Sequence, residues 1–377
     1  MVSTFAQAPS IIALPNSYRI TVIPGDGIGR EIIPQMQRAV KATGVLVEWD
    51  QQEAGQYALE KFGKELPDAT LESLRNNYVG IKGPTGTPIG GGHYSVNVRM
   101  RQALDMYACV RPIKRYIGVS SPLKRSEGID YIIIRENTED LYGGPEFASG
   151  SSDALHLRAM TKTSTKEFDK DVAFSIKPTT RAACKRITEY AFRHAHDNQR
   201  TEVTAVTKAN IMKCTDGMFL DVFRSVAQGY PHIVPREMLV DNFVLQAIMY
   251  PQQFSVVVTP NLYGDIISEA GAATVGGLGV VPGANIGEHC ALFEAVHGTA
   301  PDIAGQNKAN PTAMLLSAAM MLRHIGKVNQ GDALENAVAE VLHGRSVRTG
   351  DLIPHDERGQ VQAATTTEFT DAVIARL

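Results

Sequence analysis

Apolar and polar positions along the chain switch repeatedly between a two-residue and a 3.6-residue period, the pattern of an α/β protein. Arg19 to Ile23 reads as a strand and runs into the turn Pro24-Gly25-Asp26-Gly27-Ile28-Gly29. Arg30 to Thr43 has helical spacing and stops at Gly44, a natural left-handed cap, and Val45 to Trp49 reads as a second strand. Further strands are expected at Tyr78 to Lys82, Asp130 to Arg135, Glu202 to Thr207 and Phe254 to Thr259. Helices are expected at Val96 to Leu104, Pro178 to His196, Asn210 to Val226 and Glu237 to Met249, and again from Leu262. Asn310-Pro311 opens another that closes at Gly326, and weaker ones follow at Asp332 to His343 and Glu368 to Leu377. Gly83 to Gly92, with five glycines and two prolines, is a spacer or a mobile lid. Gly143 to about Lys177 shows little helical pattern and reads as an extended β excursion shared with a second subunit. Gly276 to Gly287 is glycine-dense again.

At 377 residues the chain is long enough for two or more lobes. Hydrophobic residues make up 44% and charged residues 20%, ordinary for a globular protein, and a net charge of -3 argues against a dedicated nucleic-acid binder. No apolar run approaches the roughly 20 residues that span a bilayer. Four scattered cysteines, with no Cys-x-x-Cys pair, suit free thiols in a reducing compartment. Met1 to Ser17 carries no Lys or Arg, so cytoplasm is the default, or the mitochondrial matrix if a presequence has been removed.

The first glycine turn imitates a dinucleotide fingerprint, but Gly25, Gly27 and Gly29 give G-x-G-x-G and Arg30 stands where the third glycine belongs. A plain tight turn beside a cleft is the better reading. Candidate chemistry lies further on. Ser95 stands at a helix start, where free N–H groups favour an anion, and Asn97 and Arg101 share one face of that helix. Arg111 and Arg135 sit on or at the end of strand-like runs, and a guanidinium holds a carboxylate through two parallel hydrogen bonds. Three arginines so placed suggest a small polyanion, although each alone reads as a surface residue. Tyr142 and Lys208 are candidate proton movers, provided neighbours bring their pKa values toward neutrality. Asp265 and Glu269 are one helical turn apart just past a strand end; with Asp241, four beyond Glu237, they form an oxygen set for Mg²⁺ or Mn²⁺. Acidic residues on solvated faces are the plain alternative. His297-Gly298-Thr299-Ala300-Pro301-Asp302 forms a rigid loop rich in N–H groups, where Asp302 would bind both ribose hydroxyls of an adenosine and repel a 2′-phosphate.

With these residues in view, the chain from about Arg19 to Gly326 resembles the β-decarboxylating dehydrogenases, and among them the NAD-dependent isocitrate enzymes. The motifs are Ile23-Pro24-Gly25-Asp26-Gly27-Ile28-Gly29, Ser95-x-Asn97-x-x-x-Arg101, Arg135-Glu136-Asn137-Thr138-Glu139, Lys208-Ala209-Asn210-Ile211-Met212-Lys213, Asn261-Leu262-Tyr263-Gly264-Asp265 and His297 to Gly305. The resemblance implies a non-Rossmann α/β fold with two lobes around a mixed sheet and a β clasp at a dimer interface. Residues 1–106 and 276–377 would form the large cofactor-side domain, 107–139 and 181–275 the small one, and 140–180 the clasp. It implies oxidative decarboxylation of isocitrate to 2-oxoglutarate and CO₂, with NAD and Mg²⁺ or Mn²⁺ as cofactors. Ser95, Asn97, Arg101, Arg111 and Arg135 would hold isocitrate; Ser95 with Asn97 marks isocitrate rather than isopropylmalate or homoisocitrate. Tyr142 would protonate the carbanion carbon, and Lys208 would serve as second acid/base, supplied with Asp241 by the neighbouring subunit of a homo-oligomer. Asp265 and Glu269 match metal positions, and His297 to Ile303 with Asn310 match the adenosine pocket. Two departures stand out: Glu269 where the family usually has Asp, and Gly143-Gly144-Pro145-Glu146-Phe147 after Tyr142. A related dehydrogenase of the family is the runner-up, and a non-catalytic regulatory subunit ranks third.

Overall fold

The computed structural model describes residues 13–14, 17–86, 95–161 and 168–377, so the expected loop Gly83 to Gly92 lies outside them beyond residue 86. Strand β1 (Ala13–Leu14) pairs antiparallel with β2 (Ser17–Ile23), and helix α1 (Gly29–Ala42) returns the chain to β3 (Val47–Gln51), parallel to β2. α1 buries Ile32, Ile33, Met36, Ala39 and Val40, and the chain leaves it through Gly44 at φ +81°. Helices α2 (Gln56–Phe62) and α3 (Asp68–Asn77) precede β4 (Val79–Lys82); α4 (Val96–Ala103) then leads to β5 (Ala108–Lys114) and β6 (Asp130–Glu136).

The stretch expected to be wholly extended is not. Short strands β7 (Glu146–Phe147) and β8 (Phe174–Ser175) pair as a separate two-stranded sheet, but α5 (Ser152–Met160) lies between them. Ser151 Oγ accepts from Ala154 N at 3.2 Å and caps it, while Ala154 is its one buried residue. A helix with no apolar stripe leaves no period to read. Next come α6 (Arg181–Asp197), β9 (Glu202–Thr207), α7 (Thr215–Ala227), β10 (Val234–Leu239) and α8 (Val240–Met249). The expected helix from Glu237 is therefore a strand followed by a helix: Glu237 lies on β10, held by Arg224 through two bonds of 2.7 and 2.8 Å, and not on the helix of Asp241. β10 is the sheet's edge strand and none of its residues is buried, so its sequence shows no apolar alternation. Finally β11 (Val256–Thr259), α9 (Asn261–Val275), β12 (Pro282–Ile286), β13 (Ala291–Ala295), α10 (Thr312–His324), α11 (Val328–Gly344) and α12 (Thr366–Ile374) complete the chain.

The main sheet runs β1-β2-β4-β13-β12-β5-β6-β11-β9-β10, with β3 on β2. The set β2, β3, β4 and β13 is parallel, as is β6, β11, β9 and β10, and the antiparallel pairs β13–β12, β12–β5 and β5–β6 join them. This is a mixed α/β sheet, as expected, and not a Rossmann sheet. α10 is buried on nearly every side, which explains its almost continuous apolar sequence. No helix of the described residues is long and apolar enough to cross a membrane. Cys109, Cys184 and Cys290 are buried free thiols and Cys214 is an exposed one.

One charge cluster, partly buried, ties β5 to the helices. Glu335 on α11 accepts from Lys114 Nζ at 2.5 Å and from Tyr116 Oη at 3.0 Å, and pairs with Arg323 Nη2 at 2.6 Å. Burial raises its carboxyl pKa, but Lys114 and Arg323 outweigh that and pull it from 4.5 down to about 2. A depressed carboxylate stabilises the fold above its unfolded value and loses that contribution as pH falls through the folded one. Glu335→Gln should therefore lower unfolding stability at pH 7 by on the order of 3 kcal/mol. In urea titrations the gap from wild type should narrow as pH falls below 4.5, where the unfolded carboxyl begins to take up its proton.

Candidate active site

Sheet register brings the charged side chains together. Directly opposed residues of paired strands share a face, as do residues two apart. Lys82 lies opposite Glu294, Asn285 opposite Cys109, and Cys109 opposite Arg135. Arg111, two beyond Cys109, joins the same face. Glu294 there binds Lys82 Nζ at 2.8 Å, Arg101 Nη2 at 3.2 Å and Asn285 Nδ2 at 2.6 Å. Burial opposes ionisation of Glu294, yet Lys82 and Arg101 hold its carboxyl well below the usual carboxylate range.

The second half of the site rests on α9. Gly264 allows α9 to lie against the stem of Arg135; a Cβ there would meet Arg135 Cγ at 2.4 Å. Arg135 Nε donates to Asn261 Oδ1 at 2.9 Å and Nη1 to Asp265. Arg111 Nη1 donates to Ser268 Oγ and lies 3.6 Å from Asp265 Oδ1. Tyr142 Oη donates to the other oxygen of Asp265 at 2.6 Å. Tyr142 sits on a 3-10 turn whose first residue, Asp140, takes φ +65° and accepts from Leu262 N at 2.9 Å. One buried carboxylate thus fixes both the tyrosine's turn and the start of α9.

Four cations (Lys82, Arg101, Arg111 and Arg135) here face two carboxylates, Glu294 and Asp265, an excess of two positive charges. Arg101 Nε and Arg135 Nη2 are buried without an acceptor. Burial and the guanidinia of Arg111 and Arg101 push the pKa of Arg135 down, a repulsion that an incoming anion relieves. Burial raises the pKa of Asp265, but Arg135, the Tyr142 hydroxyl, Arg111 and Arg101 bring it below the usual value, so it is ionised. The pKa of Tyr142 is raised by burial and by Asp265, against the lowering effect of Arg135. A raised value keeps the phenol protonated and suits it as an acid.

α4 carries Ser95 at its N-cap, Asn97 and Arg101, as the spacing indicates. The Ser95 hydroxyl does not cap the helix, and Asn97 Oδ1 accepts from Thr85 Oγ1 at 2.9 Å. Asp265 and Glu269 share α9, with Glu269 exposed. Lys208, just past β9, and Asp241, in the first turn of α8, form their own pair, 2.6 Å apart. Among the described residues no three His, Cys, Asp or Glu side chains converge on a metal position, so Asp241 does not join Asp265 and Glu269 within one chain.

The loop after β13 packs on the first glycine turn. Ile28 N donates to Thr299 O at 3.0 Å, and a Cβ on Gly27, at φ +53°, would stand 2.1 Å from that oxygen. The glycines make this contact and form no dinucleotide fingerprint. Glu31 on α1 accepts from Gly305 N at 2.9 Å and from Asn307 N. His297 Nδ1 meets Gly298 O at 3.0 Å, while its Nε2 is buried without a partner and burial lowers its pKa. Ala300 takes φ +39°, Ile303 N donates to Ala300 O at 3.2 Å, and Asp302 is exposed. Asn310, just ahead of α10, accepts from Thr312 N at 3.0 Å and donates to Asp351 at 2.9 Å.

Sequence reasoning passed over Lys82, Glu294, Asn285, Asn261, Ser268 and Asp140. A signal was present for two: Lys82 and Glu294 interrupt strands that are otherwise apolar or small, and such a charge is buried only with a partner.

The mixed α/β sheet thus carries a buried face with more cations than carboxylates, next to a tyrosine whose pKa is raised, and the loop after β13 packs apart from them on the first glycine turn. The chain belongs to the isocitrate/isopropylmalate dehydrogenase family, whose model matches residues 19–373. It is 42% identical over 358 residues to NAD isocitrate dehydrogenase catalytic subunit 5, mitochondrial, of Arabidopsis thaliana, covering 95% of this chain and 88% of that one. It is 41% identical over 360 residues to a mitochondrial regulatory chain of NAD isocitrate dehydrogenase from Dictyostelium discoideum, covering 95% and 92%. The crystal structure of isocitrate dehydrogenase from Methylococcus capsulatus superposes with a TM-score of 0.84 at 44% identity, covering 95% of this chain and 99% of that one. Relatives named for NADP or for 3-isopropylmalate also align.

Proposed function

We propose that the chain catalyses NAD⁺-dependent oxidative decarboxylation of isocitrate to 2-oxoglutarate and CO₂. The observation that carries this reading is the excess positive charge around Arg101, Arg111 and Arg135, two of them with buried unused donors, which suits a tricarboxylate. Ser95 and Asn97, on the same helix as Arg101, would orient it. A divalent cation held there would supply Lewis-acid polarisation at the 2-oxygen of the substrate, and a bound nicotinamide would supply the hydride acceptor for C2. Asp265, ionised and one turn from Glu269, fits the cation, with Asp241 completing the set from a second subunit; Mg²⁺ and Mn²⁺ both accept such oxygens. Lys208 would take the hydroxyl proton, and Tyr142 would return a proton to C3 as CO₂ leaves.

His297, Gly298, Thr299, Ala300, Asp302, Ile303 and Asn310 would hold the adenosine half of the cofactor. The orphaned His297 Nε2 and the exposed Asp302 carboxylate fit a base and a ribose diol. Asp302→Lys should lower kcat/KM with NAD⁺ and raise it with NADP⁺, each by about tenfold, because a carboxylate repels the 2′-phosphate that an ammonium attracts. Steady-state assays with both cofactors check this, and equal use of both by the wild type would refute the ribose argument.

A homodimer would share each site, with 1–106 and 276–377 as one lobe, 107–139 and 181–275 as the other, and 140–180 as clasp. Leu245, Ile248 and Met249 on α8 and Ile266 on α9 are about half exposed and supply an apolar face for it. Four free thiols accord with the cytoplasm or the mitochondrial matrix. The match to a regulatory chain supports a second reading, a non-catalytic partner. One experiment separates these readings: rates of the purified chain with isocitrate, isopropylmalate and homoisocitrate, crossing NAD⁺ and NADP⁺ with Mg²⁺, Mn²⁺ and chelator. Isocitrate turnover with NAD⁺ that chelator abolishes is expected; no turnover under any condition would favour the regulatory chain.

A further inference from the structure

Asp26, in the first glycine turn, is a buried carboxylate whose partners are backbone N–H groups of two distant segments. Its Oδ1 accepts from Tyr57 N at 3.0 Å, and its Oδ2 from Gln56 N at 3.0 Å and Gly86 N at 2.9 Å. A buried charge persists only where such donors replace water. Two of the three bonds serve α2. The N-cap residue of that helix is Gly55, which has no side chain to accept from its first N–H groups, and Asp26 accepts from two of them. Glycine is required there, because a Cβ would stand 2.2 Å from Asp26 Oδ2.

The third bond concerns the candidate active site. Gly86 belongs to the segment that follows β4, and Asp26 N also donates to Pro84 O at 2.8 Å, so Asp26 grips this segment by backbone and side chain alike. Between those two points Thr85 Oγ1 donates to Asn97 Oδ1 at 2.9 Å, on the helix that carries Arg101. The other side of the turn meets the loop after β13, where Ile28 N donates to Thr299 O at 3.0 Å. The turn is therefore a spacer between α4 and the loop assigned above to adenosine. We propose that Asp26 is a positioning residue for hydride transfer: by fixing residues 84–86 to the turn, it sets how closely C2 of the substrate approaches the nicotinamide. This role rests on the reaction proposed above.

Steady-state kinetics of the full chain with isocitrate and with isocitrate deuterated at C2 test it. Asp26→Asn keeps the size but sets an amide N–H₂ against backbone donors. Because a misplacement of about 1 Å costs on the order of 100-fold, kcat should fall by about 10- to 100-fold. The KM values for isocitrate and NAD⁺ should stay within about threefold, since no ligand-holding residue is altered. Hydride transfer becomes the slow step, so the deuterium isotope effect on kcat should exceed that of wild type. Arg30→Ala is the control. Arg30 pairs with Glu53 at 2.7 Å and lies 3.4 Å over the Tyr57 ring, so its loss loosens α2 while Gly86 stays held. Its kcat and isotope effect should match wild type. If Asp26→Asn does not fold, Asp26→Glu, which keeps the charge but moves it by one methylene, should show the same rise. The role is overturned by a wild-type kcat in the Asp26 variant, by a fall in kcat without a larger isotope effect, or by a rise in KM alone. An equal change in Arg30→Ala overturns it too, leaving Asp26 a support for α2. A wild type that turns over no substrate refutes the reaction and this role with it, an outcome distinct from the others.

Discussion

Tyr142→Phe should lower kcat by about 10²- to 10⁴-fold while the KM for isocitrate stays within a few-fold, the split expected when a proton donor alone is lost. The ring keeps its place, because the turn holding it depends on Asp140 and not on the hydroxyl. The cationic face is untouched, so binding of the tricarboxylate persists. The phenol donates to Asp265 at 2.6 Å, and burial with that carboxylate raises its pKa, so it carries its proton at neutral pH. Steady-state kinetics and a direct isocitrate titration measure the two halves. Turnover like that of wild type would remove Tyr142 from the chemistry; a collapse of binding would make it a positioning group.

Mixing two dead enzymes should restore activity. Lys208 pairs with Asp241 while Tyr142 pairs with Asp265, and no metal-sized acidic cluster among the described residues unites the two groups within one chain. If each site draws Lys208 from the partner, Tyr142→Phe and Lys208→Met homodimers are both inactive, but a mixed dimer has one intact site of its two. Random reassembly of equal amounts makes half the dimers mixed, so roughly a quarter of wild-type activity should return. Refolding the variants together and separately provides the measurement. No recovery in the mixture, with dimers verified by sedimentation, would place Lys208 and Tyr142 in the same protomer's site; an active Lys208→Met homodimer would exclude Lys208 from the chemistry.

Much of the fold was legible because local pattern reports local structure. α1, α4, β9 and α10 each carry a clear apolar stripe, alternation or cap, and they lie within a few residues of where periodicity puts them. α5 and β10 failed for one reason: one residue of α5 and none of β10 is buried, so neither needs a patterned face. The strand β12 hid in a glycine-dense stretch because its pairing with β5 and β13, and not its composition, makes it a strand.

The sequence by itself determined the parts of the site that are local. The Ser95–Asn97–Arg101 helix face, the one-turn spacing of Asp265 and Glu269, the loop from His297 to Gly305 and the demotion of the first glycine turn all follow from spacing within a single element. Only the tertiary structure decided which charges meet. Lys82, Glu294, Asn285, Arg111 and Arg135 come from segments spread over more than two hundred residues, and the register of paired strands sets them on one face. It also set Asp265 beside the tyrosine's hydroxyl, which together with burial raises that group's pKa. Periodicity carries no information about cross-strand partners, because pairing is settled by burial of the whole sheet and ionisation by whatever that burial brings within a few ångströms.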